Sequence, residues 1–505
     1  MAKRFLEQCI HGMPRMEMKE TMIKTTKQLV AALRDRETSA VELLEHSLAR
    51  IDARDDEVNA VVVRDFDRAR AAALAADASL ARGERRPLLG IPMTVKEAIN
   101  VAGLPTTWGI PGTQAIEVCE DALVIQRLKA AGAIIIGKTN VAMQLADWQS
   151  YNAIYGVTRN PWNLDLTPGG SSGGSAAAIA AGYVSLELGT DIGGSLRIPA
   201  HCCGVFAHKP THGLVPMRGV VPPGAPSLAT GPSVDFAVVG PMARSAEDLS
   251  LALDILAGPD DVLGTGYRLS LPAARHASLR DFRVVVLDTH PLGPTSQEVR
   301  AALHRFADKL ARAGCKMSAG SSLVPDLTVV ADTFTKLLMS FFGADMPDAA
   351  YRDLQGAAAQ LAPDDHSPAA TRLRGLVMTH RQWVLADRVR AGIANQWRQL
   401  FREWDIVLCP AWPTPAFAHD HSDMNSRRVR IDGVEVGYAE QSLWITLASL
   451  AGLPASSMPI GLGDSGLPIG VQIIGPYLED RTPLAFAELA EREIGGFVAP
   501  PSYAD

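Results

Sequence analysis

The chain lacks most of the features that would place it in the larger binding and transport classes. Six cysteines in 505 residues, with no C-x-x-C spacing, provide neither a disulfide framework nor a thiolate metal site, so reduced thiols in a cytoplasmic setting are expected. No uninterrupted apolar run reaches the roughly 18–20 residues of a membrane-spanning helix. The first residues, "MAKRFLEQCIHGMPRMEMKETMIK", contain no apolar core of the kind a secretory signal needs. Lys and Arg number 48 against 55 Asp and Glu, a net charge of −7, which argues against a nucleic-acid partner because phosphate affinity rests on clustered basic residues. What remains, at 47% hydrophobic and 20% charged, is the composition of a globular protein.

Several catalytic signatures are also missing. The P-loop pattern needs a Lys after its last Gly, whereas Gly174 is followed by Ser175, and the run Thr167–Gly182 does not fit the G-x-G-x-x-G dinucleotide fingerprint. Ser195 sits in G-G-S-L-R, which lacks the final Gly of a G-x-S-x-G nucleophile elbow, and the twelve histidines form no triad order. His201, His208 and His212 read as surface or hydrogen-bonded structural residues.

Against these absences stand two glycine-serine runs, "TPGGSSGGSAAAIAAG" (Thr167–Gly182) and "DIGGSLRIPAHCCG" (Asp191–Gly204). A flexible linker would be flanked by polar sequence. The first run instead leads into small apolar residues that pack as a buried helix. In the second, Gly193 and Gly194 precede Ser195 without side chains, so the amides from Ile192 through Ser195 can converge on a developing oxyanion. Serine is a weak nucleophile without a base. "GIPMTVKEAIN" offers one: Lys96 ends the apolar, strand-like run Ile91–Val95, and burial would lower its pKa until the neutral amine accepts a proton. The alternative for Lys96 alone is a lysine snorkelling from a strand end.

Along the chain, two tandem helices are expected between about residues 25 and 54, the second opened by a Ser39–Glu42 capping box. Helices alternating with short apolar strands follow, as in "ALVIQRLKAAG" then "AIIIG", which predicts an α/β protein with a mixed or largely parallel sheet. A second capping box is expected at Thr295–Glu298. The six prolines between Lys209 and Pro232 predict an extended surface path. A helical, Ala-rich region is expected at about 325–402, with an exposed interval at "LAPDDHSPAATR".

With these motifs the sequence resembles the amidase signature family of serine hydrolases. "GIPMTVKEAINVAGLPTTWG", "GKTNVAMQLADWQSYNAIYGVTRNPW", the two glycine-serine runs and "LAGLPASSMPIGLGDSGLPIGVQIIGP" carry the resemblance over roughly residues 25–490. It implies a central mixed, twisted β-sheet covered on both faces by α-helices, as one domain over 25–505 after an N-terminal extension at 1–24. It also implies a Ser-cisSer-Lys triad: Ser195 as nucleophile, Ser171 as bridging serine with a cis peptide bond to Gly170, and Lys96 as base. The oxyanion would rest on the amides of Ile192, Gly193, Gly194 and Ser195, and no metal or cofactor is required. Thr190, Asp191 and Arg197 match positions that brace the loop in relatives. Ser172 and Ser175 read as structural, capping the helix that begins with the run's alanines.

The resemblance gives the bond type and leaves the substrate to the pocket. Leu145, Trp148 and Trp444 are candidates for apolar or aromatic contact with a substrate, with core packing as the alternative, and Gly169 is counted with them. The first expectation is a stand-alone amidase of small apolar or aryl amides, with ester or carbamate side activity and a homodimer left open. The second is the glutaminase subunit of a tRNA-dependent amidotransferase, disfavoured because "MQLADWQSYN" does not resemble that subunit's version and no tRNA-facing basic stretch is seen. The third, a catalytically inactive binding protein, conflicts with the presence of all three triad residues.

Overall fold

The computed structural model describes residues 24–225 and 234–504; the extension assigned to 1–24 therefore lies, Lys24 apart, outside the described residues. Eleven strands form one mixed sheet with helices on both faces. In chain order the strands are β1 (Val61–Arg64), β2 (Pro92–Lys96), β3 (Ile134–Thr139), β4 (Leu186–Asp191), β5 (Phe206–Lys209), β6 (Val238–Ala243), β7 (Arg283–Val286), β8 (Lys316–Ser318), β9 (Ile406–Pro410), β10 (Ala455–Leu462) and β11 (Pro468–Ile474). Across the sheet they run β1-β3-β2-β4-β6-β5-β10-β11-β9-β7-β8. Pairs β2/β3, β2/β4, β7/β8 and β7/β9 are parallel. The other neighbours are antiparallel, so the sheet is mixed rather than largely parallel.

Every residue of β2, β3, β4, β9 and β11 is buried. Helices cover both faces of these strands, which is why they read as continuous apolar runs without alternation. The charged residues among them, Lys96, Lys138, Glu187 and Asp191, therefore require internal partners.

The tandem helices form as Thr26–Arg34 and Ala40–Val58, and the Ser39–Glu42 capping box is present. The second expected box is displaced. Ser296, not Thr295, caps the helix Gln297–Arg312, and Glu298 instead accepts from Ser465. The proline-rich path differs too: Lys209, Pro210, Thr211, Leu214 and Val215 are buried, so its first half threads the interior, and its last residues lie outside the described ones.

The helical region comprises Leu327–Ala344, Asp348–Ala359, Pro368–Leu376 and His380–Glu403. The interval at 361–372 is exposed over most of its length but buries Ala370 and Thr371. Leu327–Ala344 is the one described helix long and apolar enough to cross a membrane. It carries an Asp332–Lys336 ion pair and packs one face, Val330, Ala331, Phe334 and Leu337, into the core.

β2 and β4 run parallel and end side by side, at Lys96 and Asp191. The crevice beyond the carboxyl ends of such strands is where α/β sheets place their sites.

Candidate active site

Three side chains meet in that crevice. Lys96 Nζ, fully buried at the end of β2, donates to Ser171 Oγ at 2.7 Å and to Thr190 Oγ1 at 2.8 Å. Ser171 Oγ in turn lies 3.0 Å from Ser195 Oγ. The peptide bond between Gly170 and Ser171 is cis. Ser195 keeps 8% of its surface exposed while Ser171 keeps 1%, so the path opens to the outside at the Ser195 end.

Burial pushes the Lys96 amine down to about 7, against the pull of the Asp191 and Glu187 charges, which favour the ammonium. Near neutral pH it therefore exchanges between donor and acceptor. When Lys96 is neutral, both hydroxyls can rotate and the path can carry a proton from Ser195 toward the amine.

Asp191 lies under the loop that carries Ser195. Burial disfavours its carboxylate, but the Arg197 charge and the hydrogen bonds around it outweigh that and hold the acid at about 2. Arg197 grips it with two bonds, Nε to Oδ2 at 3.0 Å and Nη2 to Oδ1 at 2.9 Å. The guanidinium also donates to Ile445 O at 2.9 Å, Gln472 Oε1 at 2.5 Å and Ser449 Oγ at 2.8 Å. A buried charge pair is tolerable only with its hydrogen bonds completed in this way.

The loop departs from expectation at Gly194. Its N–H donates to Asp191 Oδ1 at 2.9 Å, and Leu196 N–H donates to Oδ2 at 3.1 Å, so Gly194 is spent on holding the loop. The N–H groups of Ile192, Gly193 and Ser195 have no partner among the described residues and remain available to an oxyanion. A Cβ on Gly193 would meet no atom within 4 Å, so the loop faces open space at that residue. At Gly170 the reverse holds: a Cβ would sit 2.6 Å from Asp147 O and from Gln149 N. Gly169, at φ +84°, packs against the Pro199 backbone and faces no open space.

The remaining expectations divide. Thr190 touches Lys96 directly. Ser172 stands at the start of the helix Gly173–Ala180 but makes no side-chain cap; its Oγ donates to Thr190 O at 3.3 Å. Ser175 lies inside that helix, 2.9 Å from Thr139 Oγ1, so neither serine caps it. Trp148 does reach the site, since its Nε1 donates to Gly193 O at 2.9 Å. Leu145 sits half-buried in a short 3-10 turn at φ +60°, outside the apolar core clusters. Trp444 is a core residue: fully buried, it donates to Thr295 Oγ1 at 2.9 Å and packs edge-on against His290. An indole on an apolar helix satisfies itself inward in this way.

His201 and His208 are buried and hydrogen-bonded, and His212 bonds Val234 O. His201 Nδ1 lies 3.0 Å from Gly470 N and 3.1 Å from Gly470 O, and Nε2 lies 2.8 Å from Thr414 O; burial lowers its pKa against the pull of the two carbonyls. The sequence reading missed Trp412 and Tyr438, whose rings lie 5.2 and 5.3 Å from Trp148. It also missed the Asp147–Arg427 pair at 2.6 Å. Asp147 Oδ1 accepts from Tyr438 at 2.8 Å, so the segment around Trp148 is fastened to a distant stretch that no local pattern announces.

No group of three or more His, Cys, Asp and Glu that could hold a metal ion occurs among the described residues. The arrangement suits acyl transfer: a hydroxyl nucleophile, a proton path and unspent amides within one loop.

Comparisons with known proteins agree on the class. The Amidase family model matches residues 42–484. The A subunit of glutamyl-tRNA(Gln) amidotransferase from Anaeromyxobacter sp. (strain K) is 35% identical, over 92% of this chain and 94% of its own. Among solved structures, a chain of an inhibitor-bound vestigial protein complex, tied to the evolutionary origins of an s-triazine catabolic enzyme, superposes with a TM-score of 0.77. It is 31% identical and covers 94% of this chain and 99% of its own. A bacterial aryl acylamidase superposes with a TM-score of 0.78 at 25% identity, over 95% of this chain and 98% of its own.

Proposed function

The chain belongs to the amidase signature family, and from that premise we propose that it hydrolyses a carboxamide C–N bond through an acyl-enzyme on Ser195. Neutral Lys96 takes a proton from Ser171 as Ser171 takes one from Ser195. The Ser195 oxygen attacks the carbonyl, and the oxyanion rests on the amides of Ile192, Gly193 and Ser195. Run backwards, the relay protonates the departing nitrogen, and the C–N bond breaks to leave an ester on Ser195. Water, deprotonated along the same path, then releases the carboxylate. The observation that carries this reading is the unbroken path from Lys96 Nζ to Ser171 Oγ to Ser195 Oγ, with steps of 2.7 and 3.0 Å.

For the substrate, the relatives reverse the order set by the sequence alone. Relatives named as the A subunit of glutamyl-tRNA(Gln) amidotransferase support the glutaminase reading over the stand-alone one, so the side-chain amide of glutamine is the donor to test first, with partner subunits present. One observation favours small aryl amides: Trp148 lies on the Ser195 loop with Trp412 and Tyr438 packed behind it, and the aryl acylamidase shares the fold.

Ammonia release from glutamine, measured with and without partner subunits, and hydrolysis of a series of anilides separate the two. Glutamine turnover stimulated by partners supports the first, and anilide turnover by the isolated chain supports the second. Hydrolysis of either that survives Ser195→Ala contradicts both.

A further inference from the structure

A carboxylic acid that the relay does not use lies on the strand beside Lys96, two register positions back from it. Glu187 is fully buried in β4, in register with Thr94 of β2. Thr139, the residue opposite Lys96 on β3, donates from Oγ1 to Glu187 Oε1 at 2.6 Å, and Ser175 Oγ lies 2.9 Å from the same threonine oxygen. Glu187 Oε2 accepts Leu188 N–H at 2.5 Å. Both oxygens accept, the pattern of an ionised carboxylate.

Its charge has no dedicated partner. Asp191, the other acid on β4, is matched by Arg197. Lys138 on β3 turns to Pro105 O and Thr106 and faces Glu97. Lys209 on β5 donates to Pro210 O and feels Arg197, Asp191 and Asp480. Glu187 makes no ion pair among the described residues, and Lys96 is the cation whose charged form it favours. Burial meanwhile pushes Glu187 up to about 7.

Building on the relay proposed above, we propose that Glu187 is a positioning residue for Lys96, its carboxylate tied to Thr139 and setting how readily the amine gives up and takes the relayed proton. Glu187 touches no reacting atom; the proton passes between Ser195, Ser171 and Lys96, and Glu187 acts through its charge.

The test is the pH dependence of Ser195 labelling by a fluorophosphonate, a readout independent of the natural amide. Glu187→Gln keeps the shape: the amide oxygen can accept Leu188 N–H, and its NH2 can donate to Thr139, whose hydroxyl then turns to Ser175. With the negative charge gone the ammonium loses support, so the acid limb of the labelling rate should move down by about one pH unit, a tenfold change in proton concentration. Thr139→Val, which removes the donor that favours the carboxylate, should move the limb in the same direction by less, and it decides the matter if the glutamine variant does not fold. If both variants keep the wild-type midpoint and lose only rate, Glu187 is a packing residue and the proposal is wrong. If wild-type Ser195 is not labelled at all, the relay itself is wrong.

Discussion

At the scale of single residues, the account turns on Lys96. Its amine sits at about 7 when folded against an ordinary 10.5. Hydrolysis that needs the neutral amine should rise as pH passes through about 7 and level off above it. The same shift has a cost in stability. Between 7 and 10.5 the unfolded chain holds the extra proton, so wild-type stability should rise with pH across that window. Lys96→Met removes its share of this dependence, leaving that of the buried Lys138 and Lys209, and abolishes turnover. Denaturant unfolding at pH 7 and pH 10 should show the variant gaining on wild type at the lower pH, by up to roughly 4 kcal/mol. Ser171→Ala breaks the path without touching the nucleophile and should cost about 10²- to 10⁴-fold in kcat/KM.

Among the elements, the loop from Asp191 to Arg197 and the turn at Gly170–Ser171 hold the site together, and their residues respond differently to substitution. Arg197→Ala leaves the fully buried Asp191 carboxylate without its cation and should destabilise by about 3–5 kcal/mol, read as a fall in Tm. Gly193→Ala puts a methyl into open space; Tm should hold while KM rises. Gly170→Ala drives a Cβ into the backbone of Asp147 and Gln149 and should lose both Tm and activity.

Much of this element was legible in sequence, because a lysine at the end of an apolar strand and paired glycines before a serine are local patterns with local causes. The spending of the Gly194 amide was not. Whether Asp191 folds back on its own loop depends on Arg197, which is itself held by Ile445, Ser449 and Gln472 far along the chain. The cap at residue 296 was ambiguous because two hydroxyl residues, Thr295 and Ser296, stand side by side and either can serve. Sequence leaves Trp444 open between pocket and core, because a tryptophan on an apolar helix looks the same whichever it faces; the structure puts it in the core.

Over the whole molecule, strands from both halves of the chain meet in one sheet, and the β2–β4 parallel pair sets Lys96 beside the Ser195 loop. Motif spacing forecast an α/β sheet. The exact mixture of parallel and antiparallel pairs was beyond it, since pairing between distant strands is decided by packing. The proposed aryl contact at Trp148 belongs to this scale as well, because Asp147, Arg427 and Tyr438 join segments almost 300 residues apart around it. The central claim is that Ser195 is the nucleophile, activated through Ser171 and Lys96. Its most direct test is mass mapping of the intact protein after fluorophosphonate treatment. The account predicts one adduct, on the peptide containing Ser195, absent from Ser195→Ala and slowed in Ser171→Ala and Lys96→Met. An adduct on any other residue, or equal labelling rates in the three relay variants and wild type, would contradict it.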